Sequence, residues 1–301
     1  MLTKIIEGLS SKLADQWIAA LLTPAFVFWG GGLLTWAWRF GWAPLEKWFV
    51  ALSPVVQVVV LIGALLLVIV SAIVVQRFDL LVLRLLEGYW PRWLQQPRTW
   101  LIGRVTVKFN QKLKLLQDLA RRGLKNLSPD ELAKYAELDQ YMMHMPASPA
   151  LFMPTRMGNI LRAAELRSKD KYGLEAIVCW SRLWLLLPDS AKKELTDARA
   201  ILNTAARLFT WSILFLIWLI YAWWVLPISI LVILYAYRWV LSAAETYGDL
   251  LEACFDLYRS SLYQSLRWPM PKNPVEERQT GMQVTDYLWR GSDSPTPTFE
   301  A

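Results

Sequence analysis

The sequence predicts an all-α membrane protein with four transmembrane helices, arranged as two hairpins, and a helical cytoplasmic region. Hydrophobic residues make up 55% of the 301 residues and charged residues only 19%, below the roughly 25% that is typical of soluble domains. Long stretches contain no charged residue at all, which excludes a single soluble domain and also disorder over most of the chain. One segment between these stretches is strongly basic.

Three uncharged runs are long enough to cross a membrane. Residues 16–38, 48–76 and 208–237 contain 23, 29 and 30 residues without a charge. A helix rises about 1.5 Å per residue, so about 20 apolar residues span a ~30 Å hydrocarbon core. Because the backbone must satisfy its own hydrogen bonds in lipid, we predict helices even at the Val-rich stretch 55–60. The first hairpin is predicted to cross at about residues 17–38 and 50–76.

The third run predicts the second hairpin. Apart from Arg238, it continues without charge to residue 244, which gives 37 residues over 208–244. Pro227 disfavours a continuous helix, and the adjacent Trp223 and Trp224 are typical of the membrane interface. We therefore predict a turn near residues 224–227. The alternative is one long, kinked and tilted helix, which would leave three crossings.

Charge counting predicts the orientation. Residues 77–207 contain 22 Lys and Arg against 13 Asp and Glu, whereas residues 238–301 contain 6 against 9. Excess Lys and Arg near the membrane mark cytoplasmic segments, so residues 77–207 are predicted to be cytoplasmic. Four crossings place both termini there as well. The mixed-charge first 16 residues do not resemble a secretory signal, and the two cysteines are expected to be buried thiols.

Local signals divide the remaining chain. Gly88 predicts the end of a helix that continues from the second crossing, and Ser128 with Glu131 predicts a capping box at a helix start. A helix after Thr155 is predicted to continue to the break at Pro188. The predicted segments are an N-terminal helix with the first hairpin (1–76), a basic helical cytoplasmic region (77–207), the second hairpin (208–244), a cytoplasmic amphipathic helix (245–268) and a weakly structured tail (269–301).

Two charged stripes are candidate interaction sites. The acidic stripe consists of Glu245, Asp249, Glu252 and Asp256, and the basic stripe of Arg104, Lys108 and Lys112. Their spacings of three and four residues place each set on one helix face. Either both faces are solvated, or the stripes face each other within a subunit or across an interface. A cation-collecting vestibule is a further option for the acidic stripe.

The second crossing has a face of small and polar residues, formed by Gln57, Ala64 and Ser71. Such a face packs against another helix or lines a water-filled path. The uncharged runs contain no ionisable group at mid-membrane, which disfavours an ion-coupled transporter. In the first crossing, the three consecutive glycines at 30–32 indicate close packing or a kink.

The residue inventory disfavours an enzyme, a cofactor or a metal site. The chain has one His and two Cys, too few for a multi-ligand zinc or iron–sulfur site. No catalytic triad order, paired-carboxylate motif or nucleotide fingerprint is present. His144 lies between methionines in a polar connector, and we expect no metal there. The basic middle segment also contains many acidic residues and follows a membrane span, which favours anionic lipid headgroups over nucleic acid.

A short motif gives a family resemblance. The residues are Pro154, Thr155, Arg156, Met157, Gly158 and Asn159, followed by 160–165, 172–173, 180–184 and 186–188. With these residues, about 150–262 resembles an uncharacterised family of bacterial multi-pass membrane proteins. The resemblance implies a bacterial inner membrane and supports the second hairpin, but it implies no activity. In physical terms, Thr155 can cap the following helix, and Arg156 can reach an acidic group or a lipid phosphate.

These observations predict an oligomeric integral membrane protein that acts as a channel or membrane-permeabilising effector gated by its cytoplasmic region. The predicted pore-lining face is that of Gln57, Ala64 and Ser71. The alternative is a non-conducting anchor or scaffold that recruits a cytoplasmic protein partner. A homo-oligomer is expected in the first case, with lipids as partners in both.

Overall fold

The computed structural model describes residues 24–294 and 297–299. Within these residues the protein is all-helical and has no strand. The α-helices are α1 (Pro24–Phe40), α2 (Ala43–Val50), α3 (Pro54–Arg77), α4 (Asp79–Glu87), α5 (Gln95–Arg122), α6 (Pro129–Met143), α7 (Arg156–Tyr172), α8 (Ala176–Leu186), α9 (Asp189–Phe215), α10 (Val225–Ser265) and α11 (Pro274–Arg290). Short 3-10 helices occur at Arg92–Leu94, Leu124–Asn126, Pro149–Leu151 and Leu216–Ile220.

Three helices are long and apolar enough to cross a membrane, which supports a membrane location. They are α3, α9 with its 3-10 extension to Ile220, and α10. The first predicted crossing, at 17–38, overlaps α1, which has 17 described residues and is not one of these three helices. Residues 1–16, the beginning of that crossing at 17–23, and residues 295–296 and 300–301 lie outside the described residues.

Helix ends follow local chemistry. The hydroxyl of Ser128 accepts a hydrogen bond from Glu131 N at 3.3 Å, and the Glu131 carboxylate accepts one from Ser128 N at 3.0 Å. This is the predicted capping box at the start of α6. Gly88 ends α4 with a φ of +98°, a conformation that glycine adopts without the usual side-chain clash.

The chain forms two compact units. The first unit contains residues 24–83 and 203–239 of the described chain, and the second contains residues 84–202 and 240–294 with 297–299. Helices α9 and α10 contribute residues to both units. The membrane-length helix α3 belongs to the first unit.

In the first unit the chain reverses between α9 and α10. The rings of Phe209 and Tyr237 lie with centroids 6.1 Å apart, whereas 28 residues of continuous helix would separate them by about 42 Å. The break lies at residues 221–224, slightly before the predicted turn at 224–227. The chain therefore folds back as a hairpin and does not form one long kinked helix.

Close packing at the glycines also organises the first unit. A Cβ on Gly31 would lie 2.4 Å from the ring of Phe215, and a Cβ on Gly32 would lie 2.4 Å from the ring of Trp218. Large aromatic side chains of α9 and its extension therefore pack directly on the backbone of α1. Of the two predicted roles for the glycines, the structure shows the packing role at these two positions.

An ion pair joins α4 to α9 within the first unit. The Arg207 guanidinium donates to the Asp79 carboxylate through two nitrogens, with Nε–Oδ2 and Nη2–Oδ2 distances of 2.8 and 2.5 Å. Two-pronged arginine–carboxylate contacts fix orientation as well as distance. The first residue of α4 is thereby held against the membrane-length part of α9.

The second unit has its own hydrophobic core. Cys179 and Leu183 of α8 pack with Phe255 and Tyr263 of α10 and with Val284 of α11, and all are buried. Removing this apolar surface from water stabilises the unit by about 25 cal/mol per Å². The core draws on helices that are far apart in the sequence.

Two sequence predictions about the second unit are wrong. The tail from residue 269 was predicted to be weakly structured, but residues 274–290 form α11, whose N-terminus is capped by Asn273 through bonds to Val275 N and Glu276 N. The helix after Thr155 does not continue to Pro188. It ends at Gly173, which has a left-handed φ of +73°, because α11 packs against this turn and a Cβ on Gly281 would lie 1.9 Å from Tyr172 O.

Candidate functional site

The polar side chains of α3 are bonded within the first unit. The Gln57 amide donates to Phe49 O and Leu52 O at 2.9 and 3.3 Å, and so holds the connection between α2 and α3. The Ser71 hydroxyl accepts from Trp29 Nε1 at 3.1 Å and donates to its own helix at 2.8 Å. Ala64 lies between them and is exposed. At Ser71, the face packs against α1.

In the second unit, Thr155 and Asn159 of the motif fix the backbone at the start of α7. The Thr155 hydroxyl accepts from Gly158 N at 3.0 Å and so caps the helix, as predicted. Asn159 is 1% exposed. Its oxygen accepts from Met153 N at 2.9 Å, and its nitrogen donates to Met153 O and Thr155 O at 2.8 and 2.7 Å. A buried amide with these three bonds locks the connector before α7 in one conformation.

The small and rigid motif residues allow close contact with the end of α4. A Cβ on Gly158 would lie 1.9 Å from Glu87 O, and a Cβ on Gly88 would lie 2.4 Å from the ring of Pro154. Only a glycine at 158 lets the backbones approach this closely. The motif is therefore explained largely by architecture.

Glu252 and Asp256, the C-terminal half of the acidic stripe, are bound by the C-terminal end of α7. Glu252 accepts from Arg167 Nη1 and from Lys171 Nζ, both at 2.6 Å. Asp256 lies 3.2 Å from Lys171 Nζ and accepts from the Tyr172 hydroxyl at 2.6 Å. Burial alone would lower the pKa of Lys171, but its hydrogen bonds to the two carboxylates outweigh this effect and raise the pKa above its usual value.

Glu245 and Asp249, the N-terminal half of the acidic stripe, have longer contacts with their basic partners. Arg156 Nη2 lies 3.3 Å from Glu245 Oε1, so the predicted acidic partner of Arg156 is a residue of the stripe. His144 Nε2 lies 3.8 Å from Asp249 Oδ1, which is beyond hydrogen-bond distance. The acidic stripe is thus paired mainly with α7, and among the described ion pairs none joins it to the basic stripe.

The sequence contains a signal for this pairing that was not among the predictions above. Arg156, Arg167 and Lys171 are separated by 11 and 4 residues, so they lie on one face of α7. Their spacing along α7 follows the same helical period as that of the acidic stripe, and their charges are of opposite sign.

The basic stripe divides in the structure. The Arg104 guanidinium stacks over the Trp100 ring at 4.8 Å, and Lys108 is exposed. Lys112, one turn further along α5, turns inward, and its Nζ lies 3.6 Å from the centre of the Tyr141 ring. The three residues therefore do not act as one surface.

Lys112 lines a cleft in the second unit. The cleft has a volume of about 160 Å³. Its lining residues are Lys112, Glu137, Gln140, Tyr141, His144, Met145, Arg156, Ile160 and Glu245. The cleft thus brings together Lys112 of the basic stripe, Glu245 of the acidic stripe and Arg156 of the motif at residues 154–159.

Burial is the main electrostatic influence on the cleft. It lowers the pKa of Lys112, and the nearby positive charges of Lys134 and Arg156 act in the same direction, against the opposing effect of Glu137. Burial also raises the pKa of the Tyr141 hydroxyl. The cleft therefore disfavours charge on the lysine that lines it.

The cysteines are apart from this cleft. Cys179 and Cys254 are free and buried, and burial raises the pKa of the Cys179 thiol to about 11. A thiol with such a pKa is a poor nucleophile near neutral pH. Within residues 24–294 and 297–299, no three His, Cys, Asp or Glu side chains are grouped so that they could hold a metal ion.

Comparisons with protein-family models, with curated proteins and with solved structures give no match to this chain. The functional argument therefore rests on the geometry above.

Proposed function

We propose that the protein is a non-conducting anchor of a bacterial inner membrane, which holds a helical scaffold at the cytoplasmic face. The proposal includes four crossings, both termini in the cytoplasm, and a cytoplasmic location for residues 77–207. The observation that supports it best is the bonding of Gln57 and Ser71 within the protomer. Polar side chains whose hydrogen bonds are already made within the protomer contribute to packing and offer little to passing ions.

The rest of α3 agrees with an anchor. Residues 48–76 contain no charge, and a polar path across hydrocarbon needs groups that replace water around the solute. The well-packed second unit, with its own core and ion pairs, suits a scaffold that presents fixed surfaces.

The exposed surface of α5 is consistent with lipid as a partner. Arg104 and Lys108 lie on the exposed side of the helix with Trp100, and Trp93 is exposed just before it. Tryptophan together with basic residues is typical of segments at the headgroup level. A cytoplasmic protein partner, and no nucleic acid, complete the proposal.

Reconstitution into planar bilayers tests the absence of conduction. We expect no current above that of the empty bilayer at any applied potential, while a pore-forming peptide added to the same bilayer gives current. Reproducible unitary currents from purified protein would overturn the anchor proposal.

Reporter fusions test the orientation separately. Fusions at residue 120 and after residue 301 should report the same, cytoplasmic side. Opposite sides would contradict four crossings.

A gated channel remains the second proposal, because one observation favours it. No residue of α3 is buried within the protomer, so a homo-oligomer could enclose this helix around an axis. Cysteines at positions 57, 64 and 71, exposed to a charged thiol reagent during recording, would alter the current if they lined a pore. Unaltered currents at all three positions would exclude this pore.

A further inference from the structure

The cleft of the second unit contains an ammonium group without a carboxylate partner. Lys112 Nζ lies over the Tyr141 ring at 3.6 Å, and no ion pair to Lys112 occurs within the described part of the chain. A half-buried lysine normally gains a counter-charge to offset the loss of hydration. The ring compensates only in part, since a cation–π contact is worth about 0.5–2 kcal/mol.

The two carboxylates of the cleft are already engaged by other cations. Glu137 Oε2 accepts from Lys134 Nζ at 2.7 Å, and Glu245 Oε1 accepts from Arg156 Nη2 at 3.3 Å. Glu137 acts on Lys112 only through its nearby charge, and neither carboxylate forms an ion pair with Lys112 in the described part of the chain. The unmatched charge of the cleft is positive.

Arg156 brings a second set of donors to the same cleft. Its guanidinium has five N–H donors, and one nitrogen is used for Glu245. Arg156 is also the first residue of the 17-residue helix α7, whose amino end adds a partial positive charge. The positive charges of Lys112 and Arg156 repel each other, and Arg156 therefore contributes to lowering the pKa of Lys112.

We propose that this cleft binds a phosphate group, with Lys112, Arg156 and the Tyr141 hydroxyl as its ligands. A phosphate accepts hydrogen bonds in several directions at once, as an ammonium, a guanidinium and a phenol require. The volume of about 160 Å³ equals the share of about five water molecules in the liquid, enough for one phosphate group. The anion relieves the repulsion between the two cations and supplies the missing counter-charge of Lys112.

The phosphate has two sources, a free phosphate or phosphoester and the headgroup of a phospholipid. Glu245, on the cleft wall, directly follows the apolar stretch 239–244 of α10, which favours the headgroup. The inference goes beyond the proposed function, since it holds for an anchor and for a channel.

The first arm of the test uses the full-length protein in phosphate-free maltoside micelles. Inorganic phosphate is titrated at constant ionic strength, and binding is followed by calorimetry and by the thermal midpoint. We expect saturable binding that Lys112→Gln weakens at least tenfold. Lys114→Gln, on the exposed side of the same helix and outside the cleft, is the matched control and should bind as the wild type does.

Tyr141→Phe keeps the ring beneath Lys112 and removes only the hydroxyl, so it tests the ligand role without disturbing the packing. It should weaken binding several-fold at an unchanged thermal midpoint in the absence of phosphate. Arg156→Gln removes the third ligand but also the contact to Glu245, and it can therefore fail to fold. Tyr141→Phe keeps the proposal testable in that case.

The second arm is native mass spectrometry of the same variants with added phosphatidylglycerol. Retention of lipid by the wild type and by Lys114→Gln, and its loss in Lys112→Gln, identifies a headgroup as the source. Binding of inorganic phosphate alone identifies a soluble anion. Absence of both, or equal losses in the Lys112 and Lys114 variants, overturns the proposal.

Discussion

At the scale of single residues, the motif at residues 154–159 acts on the backbone. Asn159 replaces missing backbone partners in the connector, and Gly158 lets α7 approach the end of α4. The cap at Thr155 could be predicted because cap chemistry is local. The contact between Gly158 and Glu87 could not, because its partner lies far away in the sequence.

Gly158→Ala is therefore expected to destabilise the second unit. The added methyl would lie 1.9 Å from Glu87 O, and overpacking of this kind costs about 1–3 kcal/mol. The measurement is the thermal midpoint in detergent. Gly103→Ala is the control, since a Cβ there meets nothing within 4 Å and the better helix propensity of Ala should leave stability equal or higher. Equal midpoints for both variants would contradict the contact.

Cys179 should be unreactive in the folded protein and should make stability depend on alkaline pH. It is 0% exposed, and burial holds its pKa at about 11, against about 8.5 in an unfolded chain. As the pH rises above the pKa of the unfolded chain, the thiol ionises in the unfolded state but stays protonated in the folded state. The stability of the folded protein therefore falls with pH until the folded thiol ionises as well. Cys179→Ala should flatten the decline.

Alkylation rates at mild pH provide the direct check on Cys179. Native protein should react at this position far more slowly than denatured protein. Ile177→Cys, on the exposed side of the same helix, where Ile177 is 66% exposed, should react at once in the Cys179→Ala background. Comparable native rates at the two positions would show that α8 opens readily.

At the scale of helices, the pairing of α7 with the acidic stripe fixes their register. The ions of Arg167 and Glu252 are only 23% and 15% exposed, so solvent and salt screen them less than a surface pair. Arg121 and Asp118, exposed by 79% and 48%, provide an internal comparison. Exposed pairs of this kind contribute about 0–1 kcal/mol.

A double-mutant cycle on Arg167 and Glu252, each changed to Ala, should give a coupling energy of about 1–3 kcal/mol. The same cycle on Arg121 and Asp118 should give less than about 0.5 kcal/mol. Chemical unfolding of the second unit at low and high salt provides the measurement. A coupling for the first pair that is as small and as salt-sensitive as that of the second would show that the Arg167–Glu252 ion pair does not fix the register of α7 and α10.

The same helices show why some elements were predictable and others were not. The start of α6 follows from Ser128 and Glu131 within one turn. The helix α11 was missed because the Pro-, Ser- and Thr-rich composition of the tail outweighed the cap at Asn273, and because its partner, the turn at Gly173, is distant in sequence. The partners of the acidic stripe required tertiary placement for the same reason.

At the scale of the whole molecule, the membrane imposes constraints that the sequence shows directly. Length and absence of charge are local properties, so the uncharged runs 48–76 and 208–237 predicted the apolar parts of the three membrane-length helices. The assembly of protomers is not a local property, and the homo-oligomer stays a prediction. Helix α3 is the place to test it, because none of its residues is buried within the protomer.

If protomers associate through α3, the contact should form at Gly63 and Ala64. A Cβ on Gly63 would meet nothing within 4 Å, and Ala64 is exposed. Small residues let transmembrane helices approach closely, and packing is what drives their association in lipid. Ile62 is also exposed, but it points away from both residues, about 160° around the helix from Ala64 and at nearly the same depth.

Ala64→Cys in a background without Cys179 and Cys254 is therefore expected to give disulfide-linked dimers in membranes after mild oxidation. Ile62→Cys should remain monomeric, since its side of the helix points away from this contact. Mass photometry of the uncrosslinked protein in nanodiscs provides the second measurement and should show more than one protomer. Equal crosslinking at both positions would indicate random collision, and a lone protomer without crosslinks would leave lipid as the only cover of α3, which removes the axis that a channel requires.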